Sequence, residues 1–152
     1  MTAGHLPEKK TIADWLAEPE ERRLELIDGD LIEKAAPDVR HSTGQAGLDR
    51  ILGPVFARRG GGGFPGGWWI HIEVDLQLGA NGYRPDLAGW RRERVSLMPL
   101  VRPVTLRPDW ICEVLSETNA SNDKIRKLRR PAEPFDAIEL RVGLLFGDDP
   151  DD

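Results

Sequence analysis

Cysteine, histidine and long apolar runs are scarce in this sequence, and each scarcity excludes a class of protein. A single cysteine, Cys112, excludes an internal disulfide framework and a cysteine-rich zinc site. With 3 histidines in the chain, a histidine metal centre is not expected. No apolar run approaches the roughly 18 residues that a membrane span needs, and the first residues lack a signal-peptide profile. The sequence therefore predicts a soluble, cytoplasmic protein with no membrane partner.

An excess of positive charge is missing as well. Lys and Arg total 21 against 26 Asp and Glu, which gives a formal charge of −5, and the last five residues hold four of the acids. This balance excludes a globally basic nucleic-acid coat but not a local basic patch. Apolar residues at 39% and charged residues at 31% also exclude a disordered acidic chain. The length predicts a single domain over residues 1–147, followed by an acidic tail at 148–152.

Helix and hairpin signals fill the N-terminal half. Thr11 is typical of an N-cap and predicts a short helix after it. Asp28 and Gly29 separate two β-prone runs and predict a hairpin, because both central positions of the preferred two-residue turn need positive φ. Apolar residues at helical spacing predict a longer helix over 42–58, which the glycine-rich run 60–67 ends.

Strand patterns follow in the second half. Residues 68–78 alternate between apolar and polar side chains, which predicts one strand whose wetter face carries His71, Glu73 and Asp75. Asn81-Gly82 predicts the turn into a partner strand over 83–90. The apolar run 110–116 is typical of a strand buried at the centre of a sheet. The order of elements predicts an α/β or α+β domain, with a mixed sheet flanked by helices.

Glu113 is chemically out of place in that apolar run. Burying an ionised carboxylate without compensation costs several kcal/mol, so such a group is usually paired or bound to a metal. Asp86, behind Pro85, is a second acid on a neighbouring strand, and the basic segment after Glu113 contains Lys127. Two acids and a lysine suit phosphodiester hydrolysis: the acids hold Mg²⁺, and the ammonium stabilises charge on the phosphorane.

These residues also resemble a known family. Three segments are similar to the motifs of the bacterial Uma-two family of restriction-endonuclease-like proteins. They are Pro85-Asp86, Glu113-Val-Leu-Ser116, and Asp123 with Lys127 four residues later. That family belongs to the PD-(D/E)xK nuclease superfamily. The likeness covers roughly residues 11 to 130, including the hairpin that carries Glu25 and the helix start at His41.

The resemblance implies a restriction-endonuclease-like fold and a metal-dependent endonuclease that cleaves DNA with Mg²⁺ or Mn²⁺. Asp86 and Glu113 match the metal-binding acids, and Glu25 matches an additional acid that reaches the same metal. Position 115, which is lysine in the superfamily motif, is Leu115 here. Lys127, on the following helix, stands at the matching place and takes the role of stabilising the transition state.

The chain departs from the family after Arg130. Pro131 follows at once, and a block of several dozen residues that continues the helix and the sheet in family members is missing. Proline disfavours helical geometry at the residue before it. We therefore predict a sheet that lacks a strand or hairpin near the C-terminus, an exposed edge beside Glu113, and a poorly anchored Lys127.

Each candidate residue has a purely structural alternative. In these alternatives, Glu113 faces water on an edge strand and Asp86 flanks a turn. Lys127 forms a surface pair with Asp123 on a helix. Glu25 lies on the solvent face of a hairpin, and His41 helps to cap a helix. The whole chain has alternatives too. One is a catalytically inactive nuclease-like remnant that acts as a DNA-binding or protein-interaction module. The other is a chain that folds only with a partner or as a homodimer.

Overall fold

The computed structural model describes residues 8–60, 62–63 and 65–114. Lys127, the predicted break after Arg130 and the acidic tail at 148–152 lie outside these ranges. So does the strand or hairpin that the sequence predicts to be missing near the C-terminus. Within the described ranges, no helix is long and apolar enough to cross a membrane.

The described part contains two α-helices, seven strands and a short 3₁₀ helix (Glu20–Arg22). In chain order the α-helices and strands are α1 (Ile12–Ala17), β1 (Leu24–Ile27), β2 (Asp30–Glu33), α2 (Val39–Phe56), β3 (Trp68–Ile72), β4 (Leu76–Leu78), β5 (Asn81–Tyr83), β6 (Leu87–Arg91) and β7 (Trp110–Cys112). The strands pair antiparallel in two sheets, of order β2-β1-β5-β4 and β3-β6-β7. This arrangement confirms the predicted α+β class.

Local signals at the N-terminal end form the elements that they predict. The Thr11 hydroxyl accepts a hydrogen bond from the Asp14 backbone, and the Asp14 carboxylate accepts one from the Thr11 backbone, so that both donors are satisfied at the start of α1. Asp28 and Gly29 adopt φ of 53° and 81° and join β1 to β2. The predicted first helix and hairpin are therefore confirmed.

The longer helix is confirmed with a shifted start. α2 begins at Val39 rather than Ser42, because Asp38 caps it by accepting a hydrogen bond from the His41 backbone at 2.7 Å. One side of α2 packs on the three-stranded sheet, where Leu52 and Phe56 meet Trp68 and other buried side chains. This packing fixes β6 and β7 relative to the helix.

The single strand predicted over residues 68–78 is wrong. The chain forms β3 in one sheet and β4 in the other, and the break falls at Glu73, whose φ is 50°. Asp75, assigned to the wet face, is only 5% exposed and pairs with the Arg84 guanidinium. Alternation of apolar and polar residues cannot reveal such a change of sheet, because the pattern is the same on both sides of the break.

The turn predicted at Asn81-Gly82 lies earlier, at Gly79 and Ala80. Gly82 belongs to β5, where it pairs with both β1 and β4. A Cβ atom added at Gly82 would lie 2.5 Å from the indole ring of Trp15. This glycine is therefore required for the close packing of α1 on the sheet rather than for a turn.

Replacing Gly82 with alanine is expected to lower the free energy of unfolding by roughly 1–3 kcal/mol, because the added methyl group overpacks the contact with Trp15. Urea unfolding of the variant and the wild type measures the change. The matched control is the same substitution in a Trp15→Leu background, where the ring atoms that clash are gone. An equal cost of Gly82→Ala in both backgrounds would contradict the packing explanation.

β7 does not occupy the predicted central position in the described part of the sheet. It pairs with β6 alone among the described strands, and Ile111 in its middle is 40% exposed. The prediction that residues 110–116 form a strand buried on both faces is therefore wrong for residues 110–112. Glu113 follows the strand instead of lying within it.

Candidate functional site

The register of β6 and β7 brings the two predicted acids together. Leu87 lies opposite Cys112 in this antiparallel pair. Asp86 precedes Leu87 and Glu113 follows Cys112, so the register carried one step further places the two acids opposite each other. Asp86 is fully buried, and the Glu113 side chain is 13% exposed. The alternative of a Glu113 that simply faces water is wrong.

Lys34, at the end of the β1–β2 hairpin, neutralises part of this negative charge. Its Nζ lies 3.3 Å from Asp86 Oδ1 and 3.1 Å from Glu113 Oε2, and it donates to the Arg84 carbonyl oxygen at 2.8 Å. The ammonium thus uses all three of its donors on oxygen atoms. Because the Lys34 side chain is only 10% exposed, water screens these contacts weakly.

Asp86 has further contacts on both of its carboxylate oxygens. Oδ2 accepts a hydrogen bond from the Val114 backbone at 2.7 Å. Oδ1 lies 3.3 Å from Nε2 of His41, although this buried nitrogen is not aligned for a hydrogen bond and has no hydrogen-bond partner among the described residues. His41 thus faces the site, while the side chain that caps α2 is that of Asp38.

Glu25 is buried beside the segment that leads to Asp86. It lies on β1, is 2% exposed, and accepts a hydrogen bond from the Arg84 backbone N–H at 2.8 Å. The alternative that places it on the solvent face of the hairpin is wrong. Lys34 donates a hydrogen bond to the carbonyl oxygen of Arg84. The hairpin therefore binds both the N–H and the carbonyl oxygen of the Arg84 backbone.

Polar groups also hold the backbone of Asp86. Its carbonyl oxygen accepts hydrogen bonds from the Glu73 backbone at 3.2 Å and from the Gln45 side chain at 3.1 Å. The Glu73 carboxylate binds Arg23 NH1 at 2.8 Å, and these two paired residues have φ of 50° and 51°. Non-glycine residues in this region are uncommon, and such strain tends to collect at functional sites.

A buried ion-pair cluster supports the same segment from the other side. The Arg84 guanidinium binds both carboxylate oxygens of Asp75, at 2.6 and 2.9 Å, and Arg102 Nε donates to Asp75 Oδ2 at 2.6 Å. Arg84 NH1 also donates to the Glu20 carbonyl oxygen at 2.7 Å. Hydrogen bonds to Asp75 raise the pKa of the Arg84 guanidinium, so this charge is permanent at any working pH.

The single cysteine is not a nucleophile in this setting. Burial is the main cause that raises the pKa of the Cys112 thiol to about 12, and the negative charges of Asp86 and Glu113 act in the same direction. A thiol with this pKa is protonated at neutral pH, and only the thiolate is a strong nucleophile. The chemistry of the site therefore rests on its carboxylates and its ammonium.

The oxygen atoms around Lys34 Nζ fit a hard divalent cation. These oxygen atoms all face the position of the Lys34 Nζ atom. They are Asp86 Oδ1, Glu113 Oε2 and the carbonyl oxygen of Arg84. Carboxylate and carbonyl oxygens are the ligands that Mg²⁺ prefers, and one or two carboxylates suffice when water and substrate phosphate complete the shell. No group of three or more His, Cys, Asp or Glu side chains in the described ranges is arranged to hold a metal.

Lys34 is the residue that the sequence interpretation missed. A signal for it exists in the hairpin. Its backbone N–H donates to the Arg23 carbonyl oxygen, which continues the β1–β2 ladder one pair beyond Leu24 and Glu33. Because faces alternate with period two, Lys34 belongs to the face that Glu25 and its partner Ile32 share. The Asp-Gly turn fixes this register, so the position of Lys34 beside Glu25 could have been predicted from the sequence. Lys127, which was predicted instead, lies outside the described residues.

Comparisons with known proteins agree on a family and a fold. The model of the family described as "Putative restriction endonuclease" (Uma2) matches residues 10–132. Among solved structures, the chain is similar to a "putative nuclease belonging to DUF820" from Anabaena variabilis, with a TM-score of 0.60 and 22% sequence identity. The match covers 74% of this chain and 64% of that chain, so the protein spans less than two thirds of that neighbour's length. No curated protein matches. The structural match confirms the predicted nuclease-like fold.

Proposed function

This chain belongs to the Uma2 (Uma-two) family of restriction-endonuclease-like proteins, and we propose that it is a Mg²⁺-dependent endonuclease that hydrolyses DNA phosphodiester bonds. One observation carries the proposal. The fully buried Asp86 and the largely buried Glu113 lie opposite each other at the adjoining ends of β6 and β7, and their oxygens converge on one cation position. Proteins seldom bury two carboxylates together without a function that needs them.

Asp86 and Glu113 are the proposed metal-binding residues. Asp86 Oδ1 and Glu113 Oε2 already face a common cation, and the Arg84 carbonyl oxygen faces it too. A bound Mg²⁺ would supply charge neutralisation at the scissile phosphate and a water of lowered pKa. Mn²⁺ is an alternative occupant because it prefers the same oxygen ligands.

Other residues of the site take supporting roles in the proposal. Glu25 holds the Arg84 backbone N–H and so supports the segment that leads to Asp86, while its role as an additional acid that reaches the metal stays a prediction. Gln45 and the Glu73 backbone fix the carbonyl oxygen of Asp86. The role that the family resemblance gives to Lys127, stabilising charge on the phosphorane, stays a prediction. Hydrolysis itself joins a water oxygen to phosphorus and breaks one phosphorus–oxygen ester bond.

The second candidate is a nuclease-like domain that binds DNA without cleaving it. The complete pairing of the Lys34 ammonium with oxygen atoms of the site favours it. The two candidates differ in turnover. A binding domain gives salt-dependent association with DNA and no cleavage, because its affinity comes from contacts with phosphates.

Glu113→Gln tests the proposal, because glutamine keeps the shape of the side chain and removes the charge that holds the cation. We expect wild-type protein to cleave plasmid DNA with Mg²⁺ or Mn²⁺, and we expect EDTA to abolish cleavage. The variant should lose about 10²–10³ in rate, comparable to the loss of one charge-stabilising group in other active sites. A nuclease assay under single-turnover conditions measures both effects.

The matched control is Glu93→Gln, because the Glu93 side chain is 79% exposed and its carboxylate lies 3.8 Å from Arg91 NH1, away from the two acids. This variant should cleave like the wild type. Equal cleavage by the Glu113 variant and the control would contradict the proposed site. A well-folded wild type that binds DNA but never cleaves it would favour the binding domain.

A further inference from the structure

Lys34 has the contacts of a bound cation rather than those of an ordinary surface lysine. Its three donors meet three oxygen atoms, at 2.8, 3.1 and 3.3 Å, which belong to Arg84, Glu113 and Asp86. Its side chain is 10% exposed, whereas the Lys9 side chain is 65% exposed in its pair with Asp30. The ammonium thus lies at the point where the oxygens of the site converge.

A metal bound through Asp86 Oδ1 would lie beside this ammonium. Oδ2 is engaged by the Val114 backbone at 2.7 Å. Oδ1 faces Lys34 and His41, each at 3.3 Å. A divalent cation that takes Oδ1 would therefore stand beside a positive charge in a poorly screened environment, and the two cations would repel each other strongly.

We propose that the Lys34 ammonium fills the divalent-cation position between Asp86 and Glu113, so that a metal ion and this side chain compete for the same two carboxylates. The inference rests on the proposed function, since it concerns the metal of that site. Before metal arrives, the lysine keeps the two acids in place and offsets their repulsion. A bound metal would displace the ammonium, and the flexible Lys34 stem would allow this while its backbone stays in the hairpin ladder with Arg23.

A permanent structural ion pair is the competing explanation for the same contacts. It predicts that removal of the lysine exposes two uncompensated carboxylates, lowers stability and leaves metal affinity unchanged or weaker. Competition predicts the opposite effect on affinity. Without Lys34, a metal ion no longer has to displace the ammonium. Its affinity therefore rises by the factor that the displacement had cost.

Calorimetric titration of Mn²⁺ into the full chain separates these explanations. Lys34→Gln, which removes the charge, is expected to bind Mn²⁺ about tenfold or more tightly than the wild type, within the usual range of coupling between two ligands. Lys34→Arg keeps the charge and should bind weakly, like the wild type. Lys9→Gln is the matched control, because its exposed pair with Asp30 lies outside the site, and it should not change the affinity.

A second measurement on the wild type covers the case in which Lys34→Gln fails to fold. The rate at which an amine-reactive reagent labels Lys34 should rise on saturation with Mn²⁺, while that of Lys9 stays constant. A labelling rate that is unchanged or lower with Mn²⁺ bound would overturn the inference. Equal Mn²⁺ affinity of the wild type and Lys34→Gln, with binding abolished by Glu113→Gln, would overturn competition and leave the proposed metal site standing. No Mn²⁺ binding by either protein would overturn both.

Discussion

Replacing Asp86 with asparagine is expected to reduce metal-dependent DNA cleavage by about 10²–10³-fold and to weaken Mn²⁺ binding. Asparagine has the size of aspartate, so the fully buried position is filled as before. What changes is the charge, and with it the attraction for a cation shared with Glu113. The Val114 N–H keeps an acceptor, because the amide oxygen can take the place of the carboxylate oxygen that binds it.

Single-turnover cleavage and calorimetric titration with Mn²⁺ measure the two effects on the same preparation. Asp30→Asn is the matched control, since Asp30 is 58% exposed and pairs with Lys9 on the outside of the hairpin. That variant should retain the activity and metal affinity of the wild type. Should Asp86→Asn cleave DNA and bind Mn²⁺ as well as the control does, Asp86 would not be a metal ligand.

Replacing Arg84 with methionine is expected to lower the free energy of unfolding by roughly 3–5 kcal/mol, because it leaves the buried Asp75 carboxylate short of its main partner. Asp75 is 5% exposed, and Arg84 supplies two of its hydrogen bonds. The contact with Arg102 remains, which places the expected loss towards the lower end of that range. Methionine keeps the apolar length of the side chain, so lost packing contributes little.

Urea unfolding of Arg84→Met, Asp75→Asn and the double variant gives the coupling between the two residues. The double variant should lose less than the sum of the single losses, with an interaction free energy of about 0.5–3 kcal/mol. Arg94→Met is the control, because the pair of Arg94 with Asp109 is more exposed and should cost about 1 kcal/mol or less. Strict additivity of the two buried variants would show that the pair is not the source of the stability.

The sequence alone was sufficient where a few consecutive residues control the conformation. The Thr11–Asp14 cap and the Asp28-Gly29 turn depend on hydrogen bonds and φ preferences within four residues, so the first helix and the hairpin form as predicted. Glu113 was also recognisable, because a carboxylate in an apolar run is conspicuous whatever the surrounding fold, and Asp86 was identified by the resemblance of Pro85-Asp86 to the family motif. Their assignment to a metal stays a prediction.

The predictions that failed depend on contacts between distant segments. An alternating pattern over residues 68–78 fits one strand, but the left-handed conformation of Glu73, paired with Arg23 50 residues earlier, sends the chain into a second sheet. The Asn81-Gly82 pair fits a turn, yet Gly82 lies in a strand because Trp15 packs on it. Local propensity was overridden in both cases by tertiary packing.

The sequence by itself therefore determined the class of fold and the hairpin, and it singled out the two acids as candidates. Only the tertiary structure decided which cationic side chain, that of Lys34, contacts these two acids. Lys34 is 52 residues from Asp86 and 79 from Glu113. Its place between them results from the docking of the hairpin against the end of another sheet. A contact of this kind follows from the register of two sheets and the packing between them, and neither is encoded in any short stretch of sequence.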